Sequence, residues 1–120
     1  KTMINETVER INEYLKEELW MDFELYGASF LEVALSGKID ECGDEKISIV
    51  FKEPYMISCT SLFTYEGGGN FIEILAGEDA YQINKQYGVT QGNYIFKINN
   101  TQVEGLMYII AKDIEVNIYR

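Results

Sequence analysis

The sequence contains no histidine anywhere in its 120 residues. Imidazole acid/base chemistry, Ser-His and Cys-His nucleophile pairs and nearly every common zinc site are excluded with it. Cysteine is scarce, with Cys42 and Cys59 alone, too few for the disulfide framework of a small secreted scaffold. A single bridge between them and two free thiols, one in a turn and one in a strand, are both open readings, the second favoured. Basic residues are also few: ten Lys and Arg face twenty Asp and Glu, a net charge of −10. The clustered cations that neutralise phosphate are missing, which argues against nucleic acid as a partner. No apolar run reaches the ~18 residues of a membrane helix. Asn5, Glu6 and Glu9 interrupt the N-terminal stretch before a signal-peptide core can form. The expectation is a cytoplasmic protein.

What is present is enough to fold. The chain is 47% hydrophobic, with nine Tyr, six Phe and one Trp, which disfavours disorder. Its length suits one domain spanning residues 1–120.

Ile4, Val8, Ile11, Leu15 and Leu19 recur at helical spacing and form one apolar stripe. Thr2 or Asn5 can cap this helix, which is expected to end between Leu19 and Asp22. From Phe30 the period changes to two. Leu31, Val33 and Leu35 alternate with polar or small residues, with Gly37 and Ile39 continuing the same face, and Ile47, Ile49 and Phe51 repeat the pattern after a turn at Cys42-Gly43-Asp44. Pro54 breaks the ladder. A strand from Tyr55 then places Ile57, Cys59, Phe63 and Tyr65 on one face, and a short strand covers Phe71–Leu75. A second short helix is read near 78–87, closed by Gly88. Tyr94, Phe96 and Ile98 mark another strand. Leu106, Tyr108, Ile110, Ile114, Val116 and Ile118 keep one parity, interrupted only by Lys112. The architecture expected is α+β: an N-terminal amphipathic helix packed on a mostly antiparallel sheet of about six strands.

No reaction can be read from these residues. Gly67-Gly68-Gly69 resembles a phosphate loop in composition, yet no helix start or Lys follows it, so a hairpin loop is the better reading. Asp40, Glu41, Asp44 and Glu45 lack the ligand spacing of a calcium loop. Paired carboxylates such as Asp113 and Glu115 are what any solvent-facing strand presents. Cys59 reads as a small buried hydrophobe, and Tyr55, Tyr65, Tyr94 and Tyr108 as core residues. We therefore expect no enzyme, no metal and no cofactor.

Charge layout is the global signal. Residues 21–45 carry a net −6, whereas residues 46–70 balance to zero. Such a segment attracts a basic partner and accelerates encounter. The expected contact residues are Asp22, Glu24, Asp40, Glu41, Asp44 and Glu45 for steering, with Tyr26 as an exposed anchor.

The layout as a whole, with the stretch Lys-Gln-Tyr-Gly-Val-Thr-Gln-Gly-Asn-Tyr-Ile-Phe at 85–96 and Tyr-Ile-Ile-Ala-Lys-Asp-Ile-Glu-Val at 108–116, resembles the small acidic immunity proteins of bacteria. These neutralise polymorphic or contact-dependent toxins, many of them basic nucleases. The resemblance implies a cytosolic protein that binds a basic toxin domain, and it carries over no individual residue. Two alternatives remain. One is a small-molecule binder or carboxylate-based enzyme with a pocket between helix and sheet, the other a structural module that pairs with itself through its C-terminal strand. Monomer is favoured over homodimer.

Overall fold

The computed structural model describes residues 2–40, 42–100 and 104–119. The fold is α+β, with a helix α1 (Thr2–Glu18) leading into two antiparallel sheets. The first sheet has five strands: β1 (Met21–Tyr26), β2 (Glu32–Lys38), β3 (Ile47–Lys52), β5 (Leu62–Tyr65) and β9 (Asp113–Ile118), in the order β5-β1-β2-β3-β9. The second has four: β4 (Met56–Ser58), β6 (Ile72–Ile74), β7 (Tyr94–Ile98) and β8 (Met107–Ala111), in the order β4-β8-β7-β6. A second helix, α2 (Gly77–Tyr87), lies between β6 and β7 in the chain.

Alternation decides what goes inside. Met21 and Phe23 on β1, Val33 and Leu35 on β2, and Ile47, Ile49 and Phe51 on β3 are buried in one core with Phe96, Ile98, Met107, Ile109 and Ala111 of the second sheet. Phe71 anchors that core, its ring stacked 4.5 Å from that of Phe23. The apolar stripe of α1 closes the same core, with Ile4, Val8, Ile11, Tyr14 and Leu15 all buried. The helix packs along β6 of one sheet and β9 of the other, so it spans the gap between them. Each of its large side chains contributes about 1.5–3 kcal/mol by leaving water.

The outer face of the second sheet is covered too. Ile83 of α2 packs with Ile95, Tyr108 and Ile110 in a smaller core. All five residues of β8 are consequently buried, as expected for a central strand covered on both sides. Gly88 ends α2 in the left-handed conformation, as its position past Tyr87 predicts. Tyr55 donates its hydroxyl to the last carbonyls there, Tyr87 O at 2.7 Å and Gly88 O at 3.2 Å.

Several expectations need correction. Nine strands in two sheets replace about six in one. The run from Tyr55 to Tyr65 is broken at residues 59–61, with β4 in one sheet and β5 in the other. The run from Leu106 to Tyr119 divides at Lys112 in the same way, since β8 and β9 belong to different sheets. Its common parity therefore splits: Tyr108 and Ile110 face α2, whereas Ile114 faces the main core. Leu19 does not extend the helical stripe. It follows the last turn in a left-handed conformation (φ 67°), hydrogen-bonded back to Leu15 O, and is 65% exposed. Asn5 lies within the helix and does not cap it. Tyr55, Leu31, Ile39 and Leu106 are exposed, and Cys59 falls just after β4. Both cysteines are free thiols.

Candidate functional site

One sheet face remains uncovered by either helix: the outer face of the five-stranded sheet. Residues on β1 with the parity opposite to Phe23 point there, which places Asp22, Glu24 and Tyr26 on it. The pairing registers arrange this face in rows. One row runs Thr64, Asp22, Lys38; the next runs Leu62, Glu24, Ser36, Ser48, Asn117; a third runs Tyr26, Ala34, Val50, Glu115. The middle of the face is built from small side chains flanked by tall ones. Ala34, Ser36 and Ser48 are buried although they face outward. The result is a trough.

Two adjoining depressions, of about 430 and 580 Å³, make up this trough. Asp22, Glu24, Ser36, Lys38, Asp40, Leu62 and Thr64 surround the first. The second shares Glu24, Ser36 and Lys38 and adds Tyr26, Gly43, Asp44 and Glu45. The structure thus brings Asp22, Glu24, Tyr26, Asp40, Asp44 and Glu45 around one feature, while Glu41 lies outside the described residues.

Local chemistry holds these groups in place. The Asp40 carboxylate accepts the Cys42 N–H at 2.9 Å, and its carbonyl accepts the Gly43 N–H at 3.0 Å, which closes the turn after β2. The turn brings Asp44 and Glu45 back over the sheet. Tyr26 joins loop and floor, its hydroxyl reaching Glu45 Oε2 at 3.5 Å and Ser48 Oγ at 3.3 Å. Asp22 Oδ1 accepts the Thr64 hydroxyl at 2.6 Å. Lys38 stands opposite Asp22 in the register but makes no ion pair among the described residues.

The sequence reading did not single out Ser36, Lys38, Leu62 or Thr64 as site residues. Leu62 carries the clearest missed signal, a large apolar side chain 68% exposed in a row with Glu24, Ser36, Ser48 and Asn117. At one end of the sheet the β1–β2 loop exposes Phe30 (82%) beside Leu31.

Other candidates resolve more simply. A third depression lies beside Gly67-Gly68-Gly69, lined by Glu66, Asn70, Asn99 and Asn100 with no cation. Among the described residues no three Cys, Asp or Glu side chains converge to hold a metal ion. Burial pushes the Cys59 thiol up to about 11, which removes it as a neutral-pH nucleophile. No helix among the described residues is long and apolar enough to cross a membrane. No protein family matches the sequence, and no curated protein or solved structure matches it either.

Proposed function

We propose that this chain is a cytosolic, immunity-type binding protein whose outer sheet face docks a basic toxin domain. One observation supports the reading: Asp22, Glu24, Tyr26, Asp40, Asp44 and Glu45 line a single exposed trough on the sheet. Carboxylates around a concave surface focus a negative field, and this favours a partner presenting Lys and Arg. Tyr26 and Leu62 supply apolar area beside the charge, the composition expected of an interface anchor with a polar surround. Phe30 and Leu31 extend that area at one end of the sheet.

A basic toxin domain encoded in a neighbouring reading frame, as the variable C-terminal part of a large secreted protein, is the partner to test. Capture of that domain by this chain, and relief of its toxicity, is the expected result. Failure to bind it removes the proposal.

The size of the first cleft favours a second reading, a small-molecule site of the usual volume for a metabolite. Its carboxylates would lie on the open sheet face and not between helix and sheet, where Val8, Ile11 and Leu15 fill the space. Turnover or tight binding of a metabolite by the purified protein, lost on changing Asp22 or Glu24, would put this reading first.

A further inference from the structure

Ser36 is the least expected residue of the trough. It is only 8% exposed, yet it lines both depressions, and its hydroxyl has no hydrogen-bond partner among the described residues. A hydroxyl at the floor of an open cleft with no protein partner is free to accept from an incoming donor. Around it stand carboxylates with spare oxygens. Glu24 makes no hydrogen bond or ion pair among the described residues, and Asp22 and Asp40 each have one oxygen engaged, by Thr64 and by the Cys42 N–H.

We propose that the cleft around Ser36 is an arginine-accepting subsite. The guanidinium of a partner's arginine lies among Asp22, Glu24 and Asp40, donates to the Ser36 hydroxyl, and lays its aliphatic stem along Leu62. The identity of the partner rests on the function proposed above; the chemistry of the cleft does not. Asp22 and Glu24, two residues apart on one strand face, are separated by roughly 6.5–7 Å along β1. A guanidinium carries five donors in a planar fork, so it spans separated acceptors and still reaches the floor. An ammonium is a compact point charge with three donors and cannot do both.

Lys38 is the resident competitor. It lines the same cleft, sits opposite Asp22 and is tied into no ion pair among the described residues. Its charge weakens the field felt by an incoming cation. Removing that charge therefore strengthens binding, an outcome opposite to that of removing any carboxylate here.

The test is an amide NMR titration of the full chain at low salt with the blocked peptide acetyl-Gly-Arg-Gly-amide. Matched lysine and citrulline peptides serve as comparisons. Shifts should concentrate at residues 36, 38 and 62, with the arginine peptide bound at least about fivefold tighter than the lysine peptide and citrulline not bound. Lys38→Gln should tighten binding about threefold, and Asp22→Asn should weaken it about as much. Glu73→Gln, on the other sheet, should change nothing. If Asp22→Asn disturbs the fold, the exposed Glu24→Gln takes its place. Shifts spread over the whole acidic surface, equal binding of lysine, or no gain from Lys38→Gln would overturn the subsite. Peptide binding in the cleft without capture of any toxin domain leaves the subsite standing and the toxin partner rejected. Capture of the domain unchanged by Asp22→Asn rejects the subsite alone.

Discussion

The side-chain amide of Asn12 pairs with the backbone of Ile72 as a neighbouring strand would. Its Nδ2 donates to Ile72 O at 2.9 Å, and its Oδ1 accepts the N–H of Ile72 at 3.0 Å and that of Phe71 at 2.8 Å. β6 is an edge strand, and the buried Asn12 satisfies backbone groups that no further strand reaches. One polar residue on the apolar face of α1 thereby fixes how the helix meets the second sheet.

Asn12→Ala should accordingly destabilise the protein by about 2–4 kcal/mol, because three buried hydrogen bonds lose their partner at once. Urea unfolding gives the magnitude. Amide exchange at Ile72 should quicken more than at Ile109, and a mutant within ~0.5 kcal/mol of the parent would contradict the capping role.

Gly37 and Leu15 test the core from opposite directions. A Cβ at Gly37 would lie 2.6 Å from both Ile47 Cγ2 and Met21 Sδ, so Gly37→Ala overpacks the sheet and should cost about 1–3 kcal/mol. Leu15 is fully buried, and Leu15→Ala leaves a cavity costing about 2–5 kcal/mol. Calorimetry of the two variants should show both losses.

The thiols should behave differently. Cys42 is exposed and should react quickly with a neutral-pH alkylating reagent, while the half-buried Cys59 should react much more slowly until the protein unfolds. The raised Cys59 value also sets a sign. Folding favours the protonated thiol, so its contribution is intact below about 9 and is lost as pH rises toward about 11. A Cys59→Ala variant should lose less stability than the parent over that alkaline interval.

Partner association should carry a charge signature. Exposed charges are screened beyond about 8 Å near physiological ionic strength, so association with a basic domain should slow as salt rises. Replacing Asp40, Glu41, Asp44 and Glu45 by their amides should lower kon more than it raises koff. Stopped-flow kinetics that show no salt dependence would remove electrostatic steering from the account.

Periodicity made much of this legible. The stripe from Ile4 to Leu15, the β2–β3 hairpin and the span of α2 all follow from the spacing of apolar residues and from Gly88. Alternation does not say which sheet a strand joins. At Lys112 it carries on through a corner, because β8 is apolar on both faces, with Tyr108 and Ile110 turned to α2, while β9 is apolar on its inner face, and a single exposed lysine is the only local mark of the turn. The acidic segment was visible as a charge excess, and its convergence follows from Asp22, Glu24 and Tyr26 sharing a parity. Ser36 and Ser48 were invisible as site residues. On a strand they read as ordinary outward polar groups, and their burial arises from tall neighbours on other strands.

The bend at Lys112 also imposes an order on biosynthesis. β8 is the strand between β4 and β7, and β9 is the only partner on the outer side of β3. Until residue 111 has left the ribosome β4 has no partner, although β6 and β7 can already pair. The apolar face carrying Phe96 and Ile98 therefore stays incompletely covered until β8 arrives beside β7. The eighteen acidic residues that precede β8 in the sequence offer mutual repulsion over that interval.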